Sequence, residues 1–296
     1  MDLKVAWWNC SLAPPSTQAK KKSPTPDFLL TIISLLERHE SDIIGLCEID
    51  NEGISAISNL IKSGELNHLE VIDLYGKKGN SIDDFCLIIN KEKLRYDGCT
   101  SFLTRPDEIT GAKLRIGAFV QAYLPDDTPL AIILCHWQSR NTYGDDSHLR
   151  RKLGDTLRQK VNSLLDEGSL VVICGDFNDE PFDDPIQNNL AASRDAELVR
   201  KNSRLLYNPY WNCLGMRPHD RNPAGTCLHK QTGQMSYSKT FDQIIFSSGF
   251  VGPGWQFIGA GAKILHNPIE KDLDQDGWAC ISDHYPVVSH VRRLAQ

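Results

Sequence analysis

Short aliphatic runs, rich in β-branched residues and bounded by polar ones, alternate along the chain with longer stretches of helical period. Leu3–Trp8, Asp42–Cys47, Phe85–Ile89, Leu130–Cys135, Ser169–Cys174, Phe241–Phe246 and Tyr285–Val291 read as strands, since each is too short for a helix and lacks its 3.6-residue period. Two segments predict amphipathic helices. From Asp27 to His39, Phe28, Leu29, Ile32, Ile33, Leu35 and Leu36 form one apolar stripe, and Thr25-Pro26 supplies a capping hydroxyl followed by a first-turn proline. From about Ser147 to Asp166, Leu149, Leu153, Leu157, Val161, Leu164 and Leu165 repeat the pattern. Ala13 to Pro26, with Lys20, Lys21 and Lys22 among prolines, reads as an exposed loop. Strands alternating with helices early and hairpin-like β segments later predict an α/β (α+β) protein with mixed sheets. No repeat, linker or compositional break divides the chain, so residues 1–296 are expected to form one domain.

The polar residues that interrupt this pattern fall at the ends of the strands. Asn9 follows Val5-Ala6-Trp7-Trp8, Glu48 follows Ile43 to Cys47, and His136 follows Ala131 to Cys135. Asp176 and Asn178 follow Leu170 to Gly175, and Asp283-His284 stand just before Tyr285-Pro286-Val287-Val288. Taken singly, an Asp or Asn after a strand is an ordinary turn residue, and a lone histidine an ordinary half-buried one. Brought to one sheet rim, the set would combine carboxylates, imidazoles and amides, the donors that hold a hard divalent cation and a phosphate.

Composition narrows the field. The 296 residues carry 32 Lys and Arg against 38 Asp and Glu, a formal charge of −6, with 41% hydrophobic and 24% charged residues, an ordinary globular balance. The acidic count argues against holding nucleic acid by bulk charge but leaves room for an enzyme that touches a few phosphates. No apolar run approaches the ~20 residues of a membrane span, and Met1 to Cys10 lacks the cationic and long apolar regions of a signal peptide. Nine cysteines is an odd number, and Cys10, Cys47, Cys86, Cys135 and Cys174 lie in or beside apolar runs, as free thiols in a reducing cytoplasm would. Neither C-x-x-C nor H-E-x-x-H occurs, so zinc has little support.

Six segments, in order along the chain, carry a resemblance. They are Trp8-Asn9, Cys47-Glu48-Ile49-Asp50, His136-Trp137-Gln138-Ser139-Arg140, Gly175-Asp176-Phe177-Asn178-Asp179-Glu180-Pro181, Ala224-Gly225-Thr226 leading to Phe241-Asp242-Gln243-Ile244-Ile245, and Ser282-Asp283-His284-Tyr285-Pro286-Val287. The sequence thereby resembles the endonuclease/exonuclease/phosphatase superfamily, the deoxyribonuclease-like fold, in its bacterial stand-alone form. The resemblance implies a four-layer sandwich, two packed mixed β-sheets flanked by helices. It also implies that Glu48 is the main ligand of Mg²⁺ or Mn²⁺, with Asn9 and Asp283 completing the metal site. Asp176 would take a proton from the attacking water and Asn178 would hold Asp176 or the phosphate. His136 and His284 would donate to phosphoryl oxygens, Asp242 would orient His284, and Arg140 would meet a phosphate. The carboxylate partner of His136 stays open between Asp83 and Asp84. Where inositol-polyphosphate phosphatases carry Pro-Ala-Trp-Cys-Asp-Arg, this chain has Ser238-Lys239-Thr240-Phe241-Asp242-Gln243, which disfavours that branch.

Asp272-Leu273-Asp274-Gln275-Asp276-Gly277, with Asp283 eleven residues after Asp272, has the D-x-D-x-D-G spacing of a calcium loop. The strand expected after Asp283 argues against a helix-loop-helix there, and an acidic surface loop is the alternative. The expectation is therefore a divalent-metal-dependent phosphodiester hydrolase, a nuclease cleaving DNA by direct attack of water on phosphorus, with no membrane and no obligate protein partner. A phosphatase or lipid or small-molecule phosphodiesterase is the enzymatic alternative. A catalytically silent calcium- or phosphate-binding module is the other, disfavoured because the complete polar set is present.

Overall fold

A computed structural model describes residues 1–12, 24–64, 66–78, 81–140, 148–215, 224–228, 236–269 and 282–294. One sheet contains β1 (Asp2–Asn9), β2 (Ile43–Cys47), β3 (Leu69–Lys78), β4 (Ser81–Asn90), β14 (Trp255–Phe257), β15 (Lys263–Ile264) and β16 (Val287–Arg293), in the order β14-β16-β1-β2-β4-β3 with β15 also on β16. The second contains β5 (Arg95–Pro106), β6 (Lys113–Tyr123), β7 (Pro129–His136), β8 (Leu170–Asp176), β9 (Ala192–Ser193), β10 (Leu206–Tyr207) and β13 (Asp242–Ser247), in the order β5-β6-β7-β8-β13-β10-β9. A two-stranded ribbon, β11 (Cys227–Leu228) with β12 (Ser238–Lys239), lies apart from both. The α-helices are α1 (Pro26–Ile33), α2 (Asn51–Ser63), α3 (His148–Asp166) and the short α4 (Ala196–Lys201).

The two-residue period of the strands sorts their side chains into layers. Trp7, Ile43, Phe85, Leu134, Val172, Cys174, Ile244 and Val287 meet between the sheets in one buried cluster. Their outward neighbours Ala6, Trp8, Ile44 and Ile88 pack against Phe28, Ile32, Ile54 and Ile57 of α1 and α2. On the other side, Ile133, Cys135, Val171 and Ile173 pack against Leu149, Leu153, Leu157 and Val161 of α3. Because both faces of each sheet are covered, the central strands carry unbroken apolar runs rather than alternation. This is the four-layer sandwich that the family resemblance implies, built from the mixed sheets that the strand pattern predicts. The sheets approach closely at Gly45, where a Cβ would meet Leu134 Cδ2 at 2.8 Å and the Trp7 ring at 2.9 Å. Among the described residues, no helix is long and apolar enough to cross a membrane.

The predicted Thr25 cap is present, its side chain accepting from the Phe28 amide ahead of Pro26. The helix expected through His39 is α-helical only to Ile33. It widens into a π-turn over Ser34–Arg38, closed by the His39 amide on the Ser34 carbonyl at 3.0 Å.

Register brings the polar strand ends together. β1 and β2 run parallel with Asn9 opposite Cys47, so Asn9 and Glu48 leave the first sheet at the same edge. β7 and β8 are parallel with His136 opposite Asp176, and antiparallel β13 sets Asp242 opposite Asp176 on the other side.

Candidate active site

Asn9 is fully buried at the end of β1. Its Nδ2 lies 3.1 Å from Glu48 Oε1 and 3.1 Å from Asp176 Oδ2, so one amide joins carboxylates from both sheets. Its Oδ1 accepts from the Ser11 amide at 3.0 Å, and its carbonyl accepts from Ser282 Oγ at 2.8 Å. Glu48 itself sits at φ 50°, and Ser11 and Asn178, at the ends of two other strands of the site, sit at φ 53° and 51°. Left-handed backbone costs a non-glycine residue about 1 kcal/mol or more, and asparagine bears it best. Three such residues around one rim mark a geometry held by the surrounding packing.

The two histidines are each tied to a carboxylate through Nδ1. His284 Nδ1 is 2.7 Å from Asp242 Oδ2, and its Nε2 is 3.7 Å from Asp176 Oδ2. Asp242 is fully buried and also accepts from Trp7 Nε1 at 3.0 Å and Thr226 Oγ1 at 2.8 Å. The backbone of His284 is fixed by the Ser282 hydroxyl on its amide, by Trp8 Nε1 on its carbonyl at 3.1 Å, and by a bridge to Cys227. His136 Nδ1 lies 3.3 Å from Asp84 Oδ2, which settles the open choice between Asp83 and Asp84, while His136 Nε2 lies 3.5 Å from Glu48 Oε1.

These neighbours decide the protonation of the rings. Burial opposes charge on His136, but Asp84, followed by Glu48 and Asp176, outweighs it and pushes the imidazole up to about 9. Burial likewise opposes charge on His284, and Asp242 first among its neighbours raises it well above the ordinary histidine range. Both rings are therefore donors at neutral pH. Glu48 moves upward because burial outweighs the attraction of His136.

The turn after β8 is clamped from beneath. Asp176 Oδ1 accepts from the Asn178 amide at 3.0 Å, and Asn178 Nδ2 donates to the Trp137 carbonyl at 2.9 Å. Arg150 of α3, fully buried, forks onto Asp179 at 2.6 and 3.1 Å and donates to the carbonyls of Gln138, Phe177 and Asn178. Gln243 Nε2 donates to the Asp179 carbonyl at 2.7 Å, and Glu180 accepts from the Thr240 amide at 3.0 Å. Arg140 belongs to the same turn: its Nε donates to the Asn178 carbonyl at 2.8 Å and its guanidinium pairs with Asp183.

The donor set fits a hard divalent cation. Glu48, Asp84, Asp176 and Asp242 stand against two imidazoles, so with both rings protonated the carboxylates exceed the cations by two charges. Glu48 is the carboxylate of the set whose side chain keeps the most exposure, 16%, so it is the one an incoming ion could reach, and burial disfavours its charge. Asp176, Asp242 and His284 also place one ligand atom each within 4.8 Å of one another. Asp242, however, already accepts from Trp7, Thr226 and His284, which makes Asp242 and His284 a hydrogen-bonded pair with the carboxylate's lone pairs in use.

The structure thus brings together Asn9, Glu48, His136, Asp176, Asn178, Asp242 and His284. Asp283 is exposed between the buried Ser282 and His284, its carbonyl accepting from the Leu228 amide at 3.2 Å. The calcium-loop residues Asp272, Asp274 and Asp276 lie outside the described residues. Sequence reasoning passed over Arg150, although an arginine flanked by Leu149 and one turn from Leu153 and Gly154 on a buried helix face was a signal. It also gave no role to Trp7 or Thr226, whose partner Asp242 lies far away in sequence.

A model of the Endonuclease/Exonuclease/phosphatase family matches residues 17–293. No curated protein matches the chain. Among solved structures, the human Nocturnin catalytic domain with bound sulfate anion is similar over 99% of this chain and 95% of its own, at 16% identity and a TM-score of 0.60. D. rerio TDP2 complexed with single strand DNA product is similar over 98% of this chain and 99% of its own, at 16% identity and a TM-score of 0.57. An endonuclease/exonuclease/phosphatase family protein from Bacteroides thetaiotaomicron covers 98% of both chains at 13% identity and a TM-score of 0.59. At these identities the likeness is one of fold.

Proposed function

Since the chain belongs to the Endonuclease/Exonuclease/phosphatase family, whose members are metal-dependent phosphoric-ester hydrolases, we propose that it cleaves phosphodiesters, with DNA as substrate, by direct attack of water on phosphorus. The observation that carries this reading is Asp176 between Asn9 Nδ2 at 3.1 Å and His284 Nε2 at 3.7 Å, a carboxylate oriented beside a protonated imidazole. Mg²⁺ or Mn²⁺ held by Glu48, with Asn9 and Asp283 as further ligands, would supply a Lewis acid for the phosphoryl group.

The protein groups account for the rest of the reaction. Asp176 takes a proton from the attacking water, its Oδ1 held by the Asn178 amide. His284 and His136 donate from Nε2 to the phosphoryl oxygens, where negative charge builds as the water adds. Asp242 and Asp84 each hold a ring by Nδ1, fixing the edge that faces substrate and favouring the imidazolium. Asn178 and Arg140 keep the turn in place, and we assign Arg140 to that role through Asp183. Residues 1–296 act in this reading as one catalytic unit. The described cysteines are free thiols, which favours a reducing compartment such as the cytoplasm. The similarity to TDP2 solved with a single strand DNA product favours nucleic acid. The net charge of −6 favours a second reading, a small phosphoester.

The test is nicking of supercoiled plasmid by the purified protein with Mg²⁺ or Mn²⁺, beside an EDTA control and Asp176→Asn. Metal-dependent nicking that disappears in the variant supports a DNA-cleaving enzyme. Hydrolysis of bis(p-nitrophenyl) phosphate without nicking or degradation of linear DNA replaces DNA by a small phosphoester.

A further inference from the structure

Five residues before Asn9, roughly 16 Å away along β1 at strand rise, Lys4 enters a different cavity. Its volume is about 440 Å³, and it lies between the π-turn after α1, the segment joining β14 to β15, and β16. Lys4, Arg38, His39, Lys263 and His290 reach it from four parts of the fold, β1, the π-turn, β15 and β16, and among the described residues no carboxylate shares its lining. Two of these basic residues, Lys4 and His290, have carboxylate partners outside the lining. Glu40 pairs with Lys4, and Asp2 accepts from His290 Nε2 at 3.0 Å and Arg292 Nε at 2.7 Å. The half-buried His39 is held below the ordinary histidine range by its burial and then by the positive charges of Lys263, Arg38 and Lys4. In a chain of net charge −6, this is a local excess of positive charge around a concave surface.

One wall of the cavity, the segment leading to Lys263, is apolar and fixed. Ile258, Ala260 and Ala262 form it, the Ile258 amide donating to the His290 carbonyl at 2.9 Å and Asn212 Nδ2 to the Ala260 carbonyl at 3.0 Å. Gly261 takes φ 78°, and a Cβ there would meet Phe257 Cδ1 at 3.0 Å and Pro209 Cβ at 3.2 Å. Glycine is therefore what lets the wall pack against its support. A preformed cavity with an apolar wall and a few converging charges is the architecture of a small-ligand site, and its volume falls within the usual ~300–1,000 Å³.

We propose that this cavity is a second, non-catalytic site for a phosphomonoester of mononucleotide size, its phosphate among Lys4, Arg38 and Lys263 and its less polar body against Ile258, Ala260 and Ala262. The inference is independent of the reaction assigned to the other end of β1. Entry of an anion among these cations favours the imidazolium of His39, so binding carries its own signature.

The experiment is NMR of the full chain with isotope-labelled histidine, in EDTA so that no hydrolysis intervenes, with His39→Gln to assign the resonance. AMP, glucose 6-phosphate and inorganic phosphate are titrated in parallel. The expected result is a saturable shift of His39 and His290 with AMP and an upward move of the His39 pKa. Glucose 6-phosphate and inorganic phosphate, which lack a body for the apolar wall, should bind at least about tenfold more weakly. Lys263→Glu and Arg38→Glu, at exposed positions, should weaken AMP by about tenfold or more while circular dichroism, melting temperature and plasmid nicking stay unchanged. An unmoved His39 at about 10 mM AMP, a shift confined to His136 and His284, or equal binding by Lys263→Glu overturns the site. Equal affinity for AMP and inorganic phosphate overturns the role of the apolar wall.

Discussion

His284 presents Nδ1 to Asp242 at 2.7 Å and so turns Nε2 toward Asp176, 3.7 Å away. The link joins three parts of the fold: β13, which begins with Asp242; β8, which ends with Asp176; and the segment leading into β16. Trp7 from the first sheet completes it by donating to the other oxygen of Asp242. Replacing Asp242 by asparagine keeps the size of the side chain but removes the charge that sustains the imidazolium, and it offers Nδ1 a donor or a neutral acceptor instead. Asp242→Asn is expected to lower kcat by about 100-fold or more with a folded protein and little change in KM. Its pH profile should lose activity at lower pH than the parent, because His284 then deprotonates earlier. Steady-state kinetics across pH on a chromogenic diester checks both.

Glu48 is a carboxylate whose ionised form burial disfavours. In metal-free protein Glu48→Gln is expected to raise the melting temperature slightly, since it removes that penalty while an amide can keep the contact with Asn9. The same substitution should abolish most of the thermal gain on adding Mg²⁺ or Mn²⁺, because linkage stabilises only a chain that binds the ion. Thermal melts of parent and variant with and without metal decide it. A variant that keeps the metal-induced gain would move the ion away from Glu48.

In metal-free protein, stability should also depend on pH through His136. Its folded value of about 9 lies above the unfolded ~6.5, so the ring binds its proton more tightly when folded. That contribution is fully present below ~6.5 and is lost as pH rises toward 9; its size is about 3 kcal/mol. Denaturant unfolding in EDTA between neutrality and pH 9.5 should therefore show falling stability, and Asp84→Asn should flatten the decline. A parent curve that rises over this window would reverse the assigned order of forces on His136.

Much of this site was legible in the sequence, and what was not has identifiable causes. The central strands could be read because covering both faces gives unbroken aliphatic runs, and Asn9, Glu48, His136 and Asp176 stood out as polar residues at the ends of those runs. β5 escaped notice because most of its side chains are exposed at a sheet edge, which leaves no apolar period to detect. α2 escaped although Asp50 caps it and Ile54, Ile57 and Ile61 mark its buried face, because Gly53 and several serines dilute the pattern. Asp83 and Asp84 could not be separated without knowing which face of β4 meets His136. The π-turn over Ser34–Arg38 leaves the apolar stripe intact and changes only the backbone, so periodicity could not register it.

Arg150 and Asp179 test whether the turn carrying Asp176 depends on its clamp. Both side chains are fully buried, and the guanidinium also satisfies three backbone carbonyls of the segments that lead to Asn178 and Gln138. Removing one partner of such a pair leaves an uncompensated buried charge, which costs about 3–5 kcal/mol. Arg150→Met is therefore expected to lower the melting temperature by roughly 10 °C and to reduce turnover in the fraction that stays folded, because Asn178 no longer holds the Asp176 carboxylate in place. Asp179→Asn alone should cost less, since an amide can still accept from the guanidinium and the carbonyls keep theirs. In the double variant Arg150→Met/Asp179→Leu the charge penalty disappears, so stability should recover in large part, while turnover should stay low because the carbonyl contacts are gone. Melting temperature and kcat measured on the three variants separate these effects: recovery of both in the double variant would show that the turn holds itself, and recovery of stability alone would assign the positioning of Asp176 to Arg150.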